Sequence, residues 1–305
     1  MSRINLITFI LVTRVSVMSR SSFLLGLVVG VLCVTCSVVA GEDKAQSNNE
    51  FITFDHEGTQ RQYLLHVPEN LPKGSPLVVF LHGYRGNAKN YARIGMSRVA
   101  DSKKFAVVYP QGLPDRRGIA HWNARLKLSE VDDIGFLTAL VKKLQADHGF
   151  SSKQTFASGI SNGGYMSYTL ISEKPDVFRA AASIIGTMSG EAWRMRDQIK
   201  PRPVLQISGL SDRIVPVDGS MSPRGGWGGA PDQKTIIKFF RDLNKTKSEK
   251  VIEISPRATG YRYAGGVDGN EVWLYEVKDW GHRVPGAREL GVHSVDLVWD
   301  FFSRY

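Results

Sequence analysis

The chain has 305 residues, of which 42% are hydrophobic, and a formal net charge of +10 at pH 7. This composition is sufficient for a large buried core, and we expect one domain rather than two smaller ones. The positive charge is not concentrated in a lysine or arginine run and accompanies no RNA-binding aromatic motif, so we expect no nucleic-acid partner.

Residues 1–40 have the pattern of an export signal. They contain three arginines, no acidic residue and an apolar run from Phe23 to Ala40 that ends in small residues. This predicts a signal peptide that is cleaved after Ala40. The opening Met-Ser-Arg recurs at Met18, which is an alternative start. The other interpretation, a transmembrane anchor, is disfavoured because the run is shorter than the roughly 20 apolar residues that a span needs.

Cleavage of this segment would remove three positive charges and both cysteines, which lowers the net charge to +7. The mature chain would form no disulfide and would depend on its core for stability. We therefore expect a secreted or periplasmic protein without a membrane span after cleavage. Residues 41–50 are polar and are predicted to form a flexible tether, and residues 51–305 are predicted to form a single catalytic domain.

The elements of this domain begin with antiparallel strands and continue as alternating strands and helices. Residues 51–54 and 63–67 alternate apolar and polar side chains, which predicts an antiparallel pair at a sheet edge. Residues 76–81 are continuously apolar, as is typical of a strand buried on both faces. Further strands are predicted at residues 105–109, 154–158, 180–185, 204–208 and 271–277, and helices at 90–102, 133–148, 165–173, 233–243 and 292–302. This alternation predicts an α/β fold with a mostly parallel, doubly wound sheet and helices on both faces.

The segment between the strands at 180–185 and 204–208 is too short for a large lid domain. We therefore expect an open cleft, which suits a bulky or polymeric substrate. The glycine-rich segment 223–229 is either a mobile rim loop of that cleft or a plain surface connection.

The sequence Gly159-Ile160-Ser161-Asn162-Gly163 joins a predicted buried strand to a predicted helix. G-x-S-x-G at such a junction is a nucleophile elbow, in which the serine has a strained backbone and the residues two positions away must lack side chains. The pattern alone is common by chance, so the flanking elements carry the prediction. Ser161 is therefore the predicted nucleophile.

A serine hydroxyl becomes a good nucleophile when an imidazole takes its proton and a carboxylate orients that imidazole. In doubly wound hydrolases the acid and then the histidine follow the serine, each in a loop after a strand. Asp212 and His282 each follow a predicted strand and are the predicted acid and base. The alternatives are a turn-forming role for Asp212 and His121 as the base, since His121 lies in a loop before Trp122.

Attack on an ester produces an oxyanion that needs two N–H donors. The predicted donors are the backbone N–H groups of Asn162, directly after the nucleophile, and of Tyr84, in the loop after strand 76–81. His82 in the same loop is predicted to be structural. Three tryptophans are candidates for substrate contacts or, equally, for packing: Trp122, Trp227 and Trp280.

Seven ordered segments share a pattern with known proteins: residues 61–68, 81–83, 108–112, 122–123, 131–137, 159–164 and 211–216. Together they resemble the polyhydroxybutyrate depolymerase and feruloyl-esterase-like family of secreted α/β-hydrolases. The resemblance runs through nearly the whole mature chain and implies cofactor-free serine carboxylester hydrolysis by Ser161, Asp212 and His282. The family often has a glycine-rich stretch before the catalytic histidine and a tryptophan two residues after it. Here Trp280 precedes His282 and Val284 follows it. We therefore expect an acyl pocket of a different shape.

The leading hypothesis is a secreted serine esterase that forms an acyl-enzyme. The resemblance implies feruloyl or acetyl esters on polysaccharide, or short polyhydroxyalkanoate esters, as substrates. The same triad would suit an acyltransferase or a peptidase, and a non-catalytic carbohydrate-binding protein is the alternative from another class. No histidine, cysteine and aspartate cluster at ligand spacing is visible in the sequence, so we expect no metal. Asp132 and Asp133 are predicted to cap a helix.

Overall fold

The sheet of this protein has parallel strands in its middle and antiparallel strands at both ends. The computed structural model describes residues 46–47 and 50–305, so the predicted signal peptide and most of the predicted tether lie outside the described residues. The strands are β1 (Gln46–Ser47), β2 (Ile52–His56), β3 (Thr59–Val67), β4 (Leu77–Leu81), β5 (Ala106–Gln111), β6 (Thr155–Ile160), β7 (Ala180–Ile184), β8 (Val204–Gly209), β9 (Ser248–Ser255), β10 (Ala258–Ala264) and β11 (Val272–Val277).

The strands follow the order β1-β3-β5-β4-β6-β7-β8-β11-β10-β9, and β2 pairs with β3. Pairing is parallel from β5 across the sheet to β11 and antiparallel on either side of this central part. The predicted mostly parallel sheet and its antiparallel edge are thereby confirmed. In such a sheet the loops at the carboxyl ends of the strands meet at one edge, where a site can form.

Helices cover both faces of the sheet. They are α1 (Ala88–Ala92), α2 (Met96–Lys103), α3 (Asp133–His148), α4 (Asn162–Glu173), α5 (Gly190–Arg194), α6 (Gln233–Asn244), α7 (Ala287–Leu290) and α8 (Ser294–Phe302). On β4, Val79 packs into a core with α3, α4 and α6, whereas Val78 and Phe80 pack into a second core with α2 and α8. Because alternate residues of β4 point into the two cores, every position of the strand is apolar. Within the described residues, no helix has the length and apolarity that a membrane crossing requires.

The fold differs from the sequence-based expectation in several places, and the short elements β1, α5 and α7 were not predicted. The predicted helix at 90–102 is two helices, because Gly95 adopts a left-handed φ of 111° between α1 and α2. The hairpin of β9 and β10 was not predicted. None of the residues of β9 is buried, so this edge strand has no alternation between a core face and a solvent face that would identify it.

Asp132 and Asp133 have different roles although they are adjacent. The Asp132 carboxylate accepts the Gly135 N–H at 2.9 Å and caps α3, as predicted. Asp133 is instead buried and accepts from the Arg61 guanidinium at 2.6 Å and from the Asn123 N–H at 2.7 Å. Through these two contacts Asp133 connects α3 to β3 and to the loop that contains Asn123. The prediction that Asp133 acts as a helix cap was therefore wrong.

Replacement of Asp133 by alanine should lower the free energy of unfolding by about 3–5 kcal/mol, because the buried Arg61 charge would lose its partner. Asp132→Ala is the matched control, since loss of an exposed helix cap costs about 1 kcal/mol. Urea unfolding followed by circular dichroism measures both variants. Equal losses in the two variants would contradict the role given to the buried pair.

Candidate active site

Ser161 lies in the tight turn between β6 and α4, with φ 55° and ψ −116°. A Cβ atom at Gly159 would lie 2.5 Å from the carbonyl carbon of Gly163, and one at Gly163 would overlap the carbonyl oxygen of Leu81. Both glycines are therefore required by close backbone approaches. This is the geometry of a nucleophile elbow, in which a strained serine presents its hydroxyl above the sheet.

Three side chains from the loops after β6, β8 and β11 form a continuous hydrogen-bond chain. His282 Nε2 lies 2.9 Å from Ser161 Oγ, and His282 Nδ1 lies 2.7 Å from Asp212 Oδ2. With the proton on Nδ1, the imidazole donates to the carboxylate and can accept the serine proton at Nε2. The second carboxylate oxygen of Asp212 accepts the N–H groups of Ile214 and Val215 at 2.8 and 2.9 Å, which fixes its orientation.

Of the two side chains joined by the Asp212–His282 hydrogen bond, the carboxylate is the more deeply buried. The Asp212 side chain is 2% exposed, whereas the His282 side chain is 21% exposed. The hydrogen bond between them is therefore shielded from water and electrostatically strengthened. Ser161 and His282 both line the cleft, where a substrate has access to them.

The loops after β8 and β11 meet through backbone contacts that were not predicted from the sequence. Ser211 N–H donates to the carbonyl of Trp280 at 3.0 Å, and a Cβ atom at Gly209 would overlap the same carbonyl. Gly209 thus permits the approach that brings Asp212 beside His282. A glycine at the end of a buried strand, three residues before the candidate acid, was the available signal.

The two N–H groups predicted to stabilise an oxyanion are unengaged. Among the described residues, the backbone N–H of Tyr84 and that of Asn162 donate to no acceptor. The carbonyl of Gly83 accepts from His82 Nδ1 at 2.8 Å, and in a trans peptide the following N–H points the opposite way. A Cβ atom on Gly83 would lie 3.5 Å from Ser161 Cβ, so this peptide lies beside the candidate nucleophile.

His82 fixes this loop as a neutral imidazole. It is fully buried, and its Nε2 accepts the Gly112 N–H at 2.9 Å. Burial lowers the pKa of His82 to about 4, so at neutral pH Nδ1 donates to Gly83 while Nε2 accepts. These contacts agree with the structural role expected for His82.

Trp122 does not line the cleft, and its prediction as a substrate contact was wrong. Its side chain is completely buried, and its indole N–H donates to the carbonyl of His82 at 2.9 Å. Its backbone N–H and carbonyl bond to the Asn162 side chain at 2.7 and 3.0 Å. A buried tryptophan needs a partner for its N–H, and here that partner belongs to the loop of Tyr84. Trp122 therefore positions the two segments that carry the candidate oxyanion donors, the loop of Tyr84 and the residue Asn162.

Trp280 is half-buried and packs against the core, which is the packing alternative given for it. Its indole N–H donates to the carbonyl of Arg283 at 2.7 Å, its ring packs on the core beside α8, and the Arg283 guanidinium lies 4.2 Å from the ring centroid. Trp227, in contrast, lines the cleft as expected. Its ring meets that of Tyr84 edge to face, with 5.3 Å between centroids.

The cleft above Ser161 has a volume of about 1020 Å³ and is open to solvent. The glycine-rich segment 223–229 forms part of its rim. This segment is held by hydrogen bonds from Lys127 N–H to the carbonyl of Gly226 at 2.8 Å and from Gly190 N–H to that of Gly229 at 3.0 Å. Of the two interpretations of this segment, the structure supports the rim of the cleft.

His121, the rival base, is fully buried and bonds to the carbonyl of Leu113 at 2.9 Å and to Ser129 Oγ at 2.7 Å, without contact to Ser161. One group of potential metal ligands was not apparent from the sequence. Atoms of His56, Glu57 and Asp132 lie within 4.8 Å of one another, outside the lining of the cleft. Exposed acidic groups often gather without an ion, and we assign no role to this group.

An open, mostly parallel sheet with helices on both faces, and a Ser-His-Asp chain on the loops after its strands, defines an α/β-hydrolase. Residues 62–234 match the family model described as Esterase PHB depolymerase. The protein belongs to this esterase family, which confirms the resemblance found in the sequence.

Named relatives extend this comparison. The chain is 28% identical over 260 residues to a probable feruloyl esterase C of Aspergillus niger, which covers 81% of this chain and 85% of that protein. It is 32% identical over 132 residues to poly(3-hydroxyalkanoate) depolymerase C of Paucimonas lemoignei, which covers 41% of this chain and 31% of that protein. The chain spans only 48%, 34% and 31% of the length of three curated relatives that it matches. An acetyl xylan esterase structure from Aspergillus awamori has the same fold, with a TM-score of 0.60 at 16% identity, over 84% of this chain and 99% of that one.

The contribution of His82 to stability should fall by about 3 kcal/mol as the pH decreases from about 6.5 to about 4. Between these pH values His82 binds a proton in the unfolded chain, whereas the buried imidazole of the folded protein stays neutral. Above about pH 6.5 the imidazole is neutral in both states, and the full contribution of His82 to stability is present. The difference in unfolding free energy between the unmodified protein and His82→Gln, measured across this range, tests this. NMR titration of His82 gives the pKa directly if that variant does not fold, and a pKa near the ordinary value of 6.5 would contradict the prediction.

Proposed function

We propose that this protein is a secreted serine carboxylester hydrolase, exported by residues 1–40, with residues 51–305 as its single catalytic domain. The observation that carries the proposal is the hydrogen-bond chain from Ser161 through His282 to Asp212, which opens into a cleft. Membership of an esterase family supports an ester as the substrate. The apolar run before Ala40 supports export.

The reaction proceeds in two halves. Ser161 Oγ attacks the ester carbonyl carbon while His282 Nε2 takes the hydroxyl proton. The bond from that carbon to the alcohol oxygen breaks, the imidazolium protonates the leaving alcohol, and the acyl group remains on Ser161. A water then gives a proton to His282 Nε2 and attacks the acyl carbon. The bond from that carbon to Ser161 Oγ breaks, the imidazolium returns its proton to Oγ, and the acid is released. Asp212 stabilises the imidazolium in both halves.

The negative oxygen of each tetrahedral intermediate is bound by the backbone N–H groups of Tyr84 and Asn162. Both peptides are held before substrate arrives, the first by His82 and the second by Trp122 and α4. Donors fixed in this way need no reorganisation during the reaction, and loss of one such donor costs about 3–4 kcal/mol in other hydrolases. The N-terminus of α4 adds a positive partial charge at the same place.

The substrates are feruloyl or acetyl esters on a polysaccharide, or short polyhydroxyalkanoate esters. The names of the relatives support these classes, and the open cleft gives room for a polymer. The rings of Tyr84 and Trp227 offer an aromatic wall for a feruloyl ring or the face of a sugar.

The purified protein should hydrolyse at least one of p-nitrophenyl acetate, p-nitrophenyl butyrate, methyl ferulate and suspended polyhydroxybutyrate. Ser161→Ala should lower kcat by about 10⁴-fold or more, because it removes the nucleophile. Asp212→Asn should lower kcat by about 10⁴-fold, because an amide no longer holds His282 in the reactive tautomer or stabilises the imidazolium. Ser152→Ala, which changes an exposed serine outside the cleft, is the control and should retain activity.

The same experiment separates the alternatives. An acyltransferase would form product only in proportion to an added acceptor alcohol, and a peptidase would cleave an amide substrate in preference. A non-catalytic carbohydrate-binding protein would turn over none of the esters, and a fluorophosphonate would leave Ser161 unlabelled. Any of these three results would contradict hydrolysis of esters as the function.

A further inference from the structure

Three arginine side chains line the cleft that contains Ser161, and they come from separate parts of the chain. Arg85 follows β4, Arg213 directly follows Asp212, and Arg224 belongs to the glycine-rich rim. All three are exposed. Within the part of the chain that the structure describes, none of their guanidinium groups forms an ion pair or donates a hydrogen bond. Their donors are therefore available to a bound molecule.

The carboxylates of the cleft do not balance these charges. Asp212 is buried and bonded to His282. Asp218 accepts from the backbone N–H of Ser220 at 3.0 Å and from its hydroxyl at 2.5 Å, and these bonds lower the pKa of Asp218. The cleft thus carries three free cations against one other exposed carboxylate. A cleft lined with an excess of one charge concentrates ligands of the opposite charge.

The backbone at Arg85 does not explain why an arginine is there. Arg85 has a φ of 66°, and its N–H donates to the carbonyl of Ala120 at 3.0 Å. Glycine or asparagine adopts this left-handed conformation at lower cost than a long side chain does.

We propose that the cleft takes esters carried on an acidic polysaccharide, whose carboxylates bind Arg85, Arg213 and Arg224. This inference rests on the proposed ester hydrolysis and specifies its substrate. Guanidinium groups bind carboxylates through paired, charge-assisted hydrogen bonds. Cations on three separate segments match a chain that carries a carboxylate on each sugar, whereas a hydroxyalkanoate oligomer has one terminal carboxylate. The wall of Tyr84 and Trp227 suits the apolar face of a sugar.

The test compares one polymer in two charge states. Acetylated polygalacturonate with free carboxylates is compared with the same polymer after methyl esterification, and released acetate is measured in both. The unmodified protein should show a kcat/KM about tenfold higher for the acidic form at low salt. This preference should disappear as NaCl rises from about 0.01 M to about 1 M, because the Debye length falls from about 30 Å to about 3 Å.

Variants locate the preference. In the combined variant Arg85→Asn, Arg213→Gln, Arg224→Gln, the ratio of kcat/KM for the acidic polymer to that for the neutral polymer should fall to about 1. The matched control Lys73→Gln, Lys103→Gln, Lys250→Gln removes the same charge from exposed positions outside the cleft and should retain that ratio. The ratio is measured within one protein, so partial loss of folded material does not affect it.

Each possible outcome decides the question. Equal turnover of both polymers at every salt concentration would overturn this inference while leaving ester hydrolysis intact. Turnover of no ester at all would instead contradict the proposed function. The terminal carboxylate of a hydroxyalkanoate oligomer is the other anion that the arginines could bind. Hydrolysis of the 3-hydroxybutyrate dimer is therefore compared with hydrolysis of its methyl ester. Preference for the free dimer without preference for acidic polymer would also overturn the assignment to a polysaccharide.

Discussion

The close approach of two backbones holds the candidate site together. The turn after β6 passes so near the end of β4 that a Cβ atom at Gly163 would overlap the carbonyl of Leu81 and lie 2.8 Å from that of His82. This contact brings the peptide of Asn162 beside the loop of Tyr84. Neither the Asn162 N–H nor the Tyr84 N–H has an acceptor among the described residues, and a larger residue at Gly163 would disturb their arrangement.

Buried polar groups keep that approach in one geometry. The carbonyl of His82 accepts the indole N–H of Trp122, and the backbone of Trp122 bonds to the Asn162 side chain. The next residue, Asn123, is held by Asp133, which in turn pairs with Arg61. In a buried network of this kind the removal of one partner leaves another polar group unpaired and lowers stability. The site thus depends on residues that no substrate would touch.

The sequence was most informative where chemistry and local geometry coincide. Ser161, Asp212 and His282 were selected because each follows a buried strand, and the parallel sheet brings those strand ends to one edge. The environments of Trp122 and Trp280 were not predictable, because a tryptophan in a loop has the same sequence pattern whether its ring faces a cleft or a core. The partners of Asp133 and the approach at Gly209 also escaped prediction, since both depend on residues distant in sequence.

The most direct test of this account is whether Ser161 is activated by His282. The measurement is intact-protein mass spectrometry after brief exposure to a fluorophosphonate, with peptide mapping of the adduct. We expect one adduct per chain, on Ser161, formed at least about 10³-fold more slowly in His282→Ala because the hydroxyl proton would have no acceptor. An adduct on another residue, or labelling of Ser161 at the same rate in both proteins, would contradict the assembled triad.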